Sequence, residues 1–94
     1  LKTQEEWIRE VGQEVIELLI KKDHDYGSSF SESYKEYGIV SGVMRMDDKI
    51  KRLKNIIKGS EIKVKESSED TCLDLCGYAM LLLTELKKET NEKN

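Results

Sequence analysis

The sequence predicts an all-α protein, an antiparallel bundle of three long helices and a short one. Three observations predict it. Proline is absent and charged residues make up 37% of the 94 positions, a composition that favours helix over a turn-rich β fold. Apolar residues recur at three- and four-residue steps in the first and middle thirds of the chain. From Leu75 to Leu83 every residue is apolar, glycine or tyrosine, the pattern of a helix enclosed on all sides. At this length the chain is one domain, residues 1–94, with a modest core. So short a chain barely covers a segment as apolar as Leu75–Leu83, so a homo-oligomer is expected to complete the bundle.

Each element has a local reason. Thr3-Gln4-Glu5-Glu6 is a capping box that opens helix one. Trp7, Val11, Val15, Leu18 and Leu19 then mark its inner face, to about Lys22. Acids, a glycine and two serines in Asp23–Ser29 predict a loop. A short helix is expected around Ser31–Tyr37, ended by Gly38. The second long helix is expected over Ser41–Lys58, with Val43, Met46, Ile50, Leu53 and Ile57 on one stripe and Gly59 as its C-cap. Ile62 and Val64 alternate with polar residues in Glu61–Lys65, which reads as an extended connector. The last helix is expected to start at Ser67 or Ser68 and to fray into a polar tail from about Lys88.

Composition also excludes functions. A net charge of −3 argues against a general grip on nucleic acid, which takes a basic surplus. No run reaches the roughly 18 apolar residues of a membrane span, and no basic-apolar-small leader is present. The first residue is Leu1, so a short preceding piece is expected. Cys72 and Cys76 fall one helical turn apart in the apolar segment and read as buried, reduced thiols of a cytosolic protein. Together with the single His24 they are too few for a structural zinc site.

Three clusters hold the candidate chemistry. Glu66, Asp70 and Asp74 are spaced by four, with Glu69 beside them, at the entry to the apolar helix. Acids at a helix start have a structural reading, since exposed backbone N–H groups favour them there. Asp74 lies past the first turn, between Leu73 and Leu75, and needs a cation, a metal or several donors. The second cluster is Arg45, Asp48, Lys49 and Arg52, on one face beside the apolar stripe. These cations either neutralise Asp70 and Asp74 across a helix interface or bind phosphate oxygens, for which the arginine fork is suited. The third is the loop with Asp25, Tyr26, Gly27 and the two serines after them, where a ring is available to stack a base; a helix-ending turn needs the same residue types. His24 pairs with no nucleophile, and Glu10, Glu14 and Glu17 read as a solvated face.

Three segments in order, Lys22-Asp23-His24-Asp25-Tyr26-Gly27-Ser28-Ser29-Phe30, Arg45-Met46-Asp47-Asp48-Lys49-Ile50-Lys51-Arg52, and Glu66-Ser67-Ser68-Glu69-Asp70-Thr71 leading to Asp74-Leu75 and Gly77-Tyr78-Ala79, resemble the phage and bacterial family of nucleotide modification associated domains, type one. The resemblance spans Trp7 to Leu86. It implies a small helical protein of nucleotide metabolism in a bacterial cytoplasm. It carries over Asp25, Tyr26, Gly27, Arg45, Asp48, Lys49, Arg52 and Tyr78 as ligand-binding residues, and also Glu66, Asp70 and Asp74; in an enzyme reading Asp70 and Asp74, with Glu66 or helix-one glutamates, are the acid set for a metal, magnesium. The acid run before a long apolar helix is also similar to the second half of the MazG-type pyrophosphohydrolase pattern, in which paired acids hold magnesium against a triphosphate. Here the preceding helix offers Arg45, Lys49 and Arg52 where that pattern has paired glutamates; Glu14 and Glu17 have the right spacing but lie a helix further back. The expectations are a nucleotide held by its phosphates on a basic helix face, a magnesium-dependent hydrolase, or a non-catalytic interaction module.

Overall fold

The computed structural model describes residues 1–26, 28–59 and 61–93, with the backbone alone at 25, 26, 61–63, 92 and 93. Four helices pack together: α1 (Gln4–Tyr26), α2 (Ser29–Tyr37), α3 (Val40–Ile56) and α4 (Glu61–Lys93). No strand occurs among the described residues. The expected class, three long helices and a short one, is what forms. Helix α4 is the hub, packed most extensively on α3 and also touching α1 and α2. At 1.5 Å per residue its 33 residues span about 50 Å, close to the longest dimension of the molecule, 47 Å.

Helix α1 begins as read: the Glu6 N–H donates to Thr3 Oγ1 at 3.1 Å. It does not stop at Lys22 but runs on to Tyr26. Contacts made from outside the segment extend it. Lys22 reaches Asp74 on α4, the Ser28 N–H donates back to the Asp23 carbonyl at 3.3 Å, and Ser28 Oγ donates to Asp23 Oδ2. The 6→1 backbone bond is of the kind that closes a helix C-terminus. The expected loop is thus reduced to the few residues between α1 and α2.

Gly38 ends α2 as expected. It holds φ 71°, and its N–H donates to the Tyr34 carbonyl at 2.7 Å, a backbone state that side chains disfavour. Helix α3 ends earlier than read, with Ile57 as its C-cap; Gly59 lies beyond it and closes the turn through its N–H to the Ile56 carbonyl, 2.9 Å.

Two further expectations are corrected at α4. Glu61–Lys65 is helical, not an extended connector, and Ser67–Ser68 lie inside the helix rather than at its start. The governing pattern is Val64, Ser68, Thr71, Leu75, Tyr78, Leu82 and Glu85, alternating steps of four and three, all buried or half-buried. That seam continues back through Val64, so helical register overrides the local alternation. At the other end α4 is helical to Lys93. Where α3 and α4 meet, Gly42 lies directly under Leu82, a Cβ there falling 2.9 Å from Leu82 Cδ2. Where α1 meets α4, Gly77 lies under Leu19 in the same way, at 3.1 Å.

The core is small. Among the described residues Val15 and Leu82 are its buried hydrophobics, at 3% and 9% exposure. Trp7 and Val11, read as inner-face residues of α1, are exposed, as are Val43, Ile50 and Ile57 of the α3 stripe. The apolar helix is not enclosed on all sides either: Met80 and Leu83 are exposed, and so are Cys72 and Cys76, which are not the buried thiols expected. One chain supplies neighbours for only part of the circumference of α4. No helix among the described residues is long and apolar enough to cross a membrane.

Candidate functional site

All four helices contribute to one cleft of about 350 Å³, within the range of small-molecule sites. Its floor is apolar, with Val15, Leu18 and Leu19 of α1 facing Leu73, Gly77 and Leu81 of α4. The small Gly77 lets α1 approach α4 there. The polar wall gathers Lys22, Asp23, Arg45, Lys49 and Asp74, and the aromatic wall is Phe30 and Tyr78.

Asp74 is the electrostatic centre. Its Oδ1 takes Lys22 Nζ from α1 at 3.4 Å and its Oδ2 takes Lys49 Nζ from α3 at 3.4 Å. One carboxylate therefore draws two ammonium groups from different helices to one wall. Arg45, one turn before Lys49, lays its guanidinium 5.9 Å from the centre of the Tyr78 ring, within reach of a cation–π contact. Tyr78 in turn meets Phe30 at 6.3 Å between ring centres. Ser29 and Phe30, the first residues of α2, line the same cleft, and the free N–H groups of a helix start favour an anion. Three cations and two carboxylates leave the wall with a net positive charge.

Of the residues singled out in the sequence, Arg45, Lys49, Asp74 and Tyr78 come together here. Asp48 and Arg52 do not. They line an adjoining shallow depression on α3 with Lys51, Asn55 and Ile56, which shares Lys49 with the cleft, and Arg52 Nε donates to Thr71 Oγ1 at 3.3 Å, a hydroxyl that itself donates to the Ser67 carbonyl. The side chains of Asp25 and Tyr26, and Gly27, lie outside the described residues. Lys22, Asp23 and Phe30 are cleft residues that the residue-level reading had given no role. Helical continuation of α1 past Lys22 is what carries Asp23 onto the wall beside it.

Glu66 and Asp70 are exposed on α4, outside the cleft. Among the described residues no group of three or more carboxylate, histidine or cysteine side chains gathers as a metal site, and both Asp74 oxygens face lysines. The described side chains do not fit a magnesium held by them alone. A magnesium carried in with a triphosphate asks for only one or two carboxylates, so its involvement is a matter for the binding experiment below.

A second polar cluster joins α2 to α4. Glu85, buried on α4, accepts hydrogen bonds from Ser31 Oγ and from Lys88 Nζ, and Tyr34 OH donates to Glu89. Burial by itself would push the Glu85 carboxyl up; the bonds from Ser31 and Lys88, with the charges of Lys88 and Lys35, outweigh it and hold it below its ordinary value. The stabilisation it supplies is therefore fully present above the unfolded value, near 4.5, and is lost as pH falls through the lower folded value. Glu85→Ala leaves the Ser31 hydroxyl without its acceptor and is expected to cost about 1–3 kcal/mol. Glu85→Gln keeps an acceptor and should show a flatter melting temperature than the wild type between pH 6 and 3, read by circular dichroism. An equally steep acid limb in both would remove Glu85 as its source.

Residues 22–86 match the family model described as nucleotide modification associated domain 1. No curated protein and no solved structure matches the chain.

Proposed function

We propose that this chain, which belongs to the nucleotide modification associated domain 1 family, binds a nucleotide in the cleft between its four helices. Arg45 and Lys49 of α3, with Lys22 of α1, take the phosphates, and the Phe30–Tyr78 wall packs against the base. The observation that carries this reading is the convergence of three cations from two helices beside two aromatic rings in one partly apolar cleft. Arginine and lysine there offer charge-assisted bonds to phosphate oxygens, and a ring face accepts any base by stacking. The family's association with nucleotide modification supports the ligand class, and a bacterial or phage-infected cytoplasm is the setting it implies.

The test is melting temperature against a panel of nucleoside mono-, di- and triphosphates, in magnesium and in chelator. A ligand that binds only the folded state stabilises it by about 2.7 kcal/mol at a hundred times its Kd. A shift that is the same in magnesium and in chelator, and clearly reduced in Arg45→Ala, is the expected result. A shift for triphosphates that requires magnesium moves the reading to a metal-assisted pyrophosphohydrolase and calls for a pyrophosphate assay. No shift with any nucleotide overturns nucleotide binding and leaves the ion pairs of Asp74 as structural.

A further inference from the structure

Besides the Leu73, Gly77 and Leu81 face that meets α1, helix α4 carries two seams with a four-three repeat, and the chain itself covers one of these two. The covered seam is Val64, Ser68, Thr71, Leu75, Tyr78, Leu82 and Glu85. The second is Cys72, Cys76, Ala79, Leu83 and Leu86, again in alternating steps of four and three, roughly a third of a turn away round the helix. Cys72, Cys76, Ala79 and Leu83 are exposed, Leu83 at 53%, and Met80 flanks them, also exposed. No charged residue interrupts this seam between Glu69 and Lys87. A four-three repeat of apolar residues is the pattern by which helices pack knobs into holes.

The molecule's size says how much cover is missing. The accessible surface is 7615 Å², whereas a folded monomer of this mass, 10.9 kDa, exposes about 5,600 Å². The radius of gyration is 15.3 Å, against about 12 Å for a compact domain of this length. The excess, about 2,000 Å² over the whole molecule, exceeds the roughly 800 Å² per partner that a standard stable interface buries.

We infer that a second copy of this chain covers the Cys72–Leu83 face of α4, so that the working protein is a homodimer with α4 packed on α4. A self-complementary seam with no charge of either sign suits an isologous two-fold contact. A charged partner would find nothing there to pair with. The two thiols become interface residues, and the nucleotide cleft is not required for the assembly, so the two proposals fail independently.

The wild-type protein, reduced, is examined by light scattering after size exclusion and by maleimide labelling of its thiols. The expected result is a mass twice 10.9 kDa at micromolar concentration, with Cys72 and Cys76 labelled at least tenfold more slowly than in denaturant. A cooperatively melting monomer overturns the inference. So does a dimer whose thiols label as fast as in denaturant, since its interface lies elsewhere. Leu83→Glu supplies a second arm. On a free surface such a change is nearly neutral, whereas on a covered seam it halves the mass or abolishes the fold. A Leu83→Glu protein that remains a stable dimer also overturns the inference.

Discussion

Gly42→Leu should lower the melting temperature by 10–20 °C or prevent folding altogether. Leu82 is one of the two buried hydrophobics among the described residues, and it lies directly on Gly42. A Cβ at 42 would fall 2.9 Å from Leu82 Cδ2, 3.1 Å from Cδ1 and 3.2 Å from Cβ. The two methyls can turn away, but the Cβ of Leu82 moves only with the α4 backbone. A bare alanine methyl already asks for that adjustment, so Gly42→Ala gains about 1 kcal/mol of helix propensity and loses a comparable amount to the contact. Leucine adds three more carbons with nowhere to go, and overpacking of this sort costs about 1–3 kcal/mol or more. For a chain of this size each kcal/mol moves the melting temperature by roughly 4–8 °C. Gly12→Ala is the control. Nothing lies within 4 Å of its Cβ position, and an interior helical glycine replaced by alanine should gain about 0.5–1 kcal/mol. If Gly42→Leu melted like the wild type, α3 and α4 could not be packed through this pair.

Periodicity made most of the fold legible, and its failures have a common cause. The three- and four-residue steps from Trp7 to Leu19 and from Val43 to Ile57 gave α1 and α3. Local breaker signals misled where a tertiary contact overruled them. Asp23-His24-Asp25 looks like a helix end until Lys22 is tied to Asp74 and Ser28 folds back on Asp23. Ser67 and Ser68 look like caps until Val64 is found in the same seam as Thr71. The same limit held at the site. Spacing put Arg45 and Lys49 on one face and marked Asp74 as an acid in need of a partner, and Lys49 proved to be one such partner. Spacing could not show that the face divides, with Arg52 turning to Thr71 while Arg45 turns to Tyr78. Burial was the least legible property, because an apolar stripe does not record how much of it the chain itself covers, as the exposed Val43, Ile50 and Ile57 show.

Asp74→Asn is the substitution whose sign separates the functional readings. In the cleft Asp74 already occupies Lys22 and Lys49, the groups an incoming phosphate would need. Removing its charge frees both ammonium groups and takes away a repulsion, so a cleft that binds phosphate directly should bind it about five- to tenfold more tightly, a gain of about 1 kcal/mol. Lys49→Ala and Arg45→Ala should act in the opposite direction. Each removes a charge-assisted bond worth about 1.5–3 kcal/mol, which weakens affinity by roughly 10- to 100-fold. All three effects should shrink with added salt, since the groups are only partly buried. If Asp74 instead helps hold a magnesium ion on a triphosphate, Asp74→Asn must weaken binding, and only when magnesium is present. If the ion pairs are structural alone, no nucleotide responds. The substitution then costs less than about 1 kcal/mol of stability, as half-exposed pairs do. Titration of a nucleoside triphosphate against the three variants, in magnesium and in chelator, separates these cases by sign. Stability alone cannot, because every reading predicts a small loss or none when one carboxylate at the edge of a cleft is neutralised.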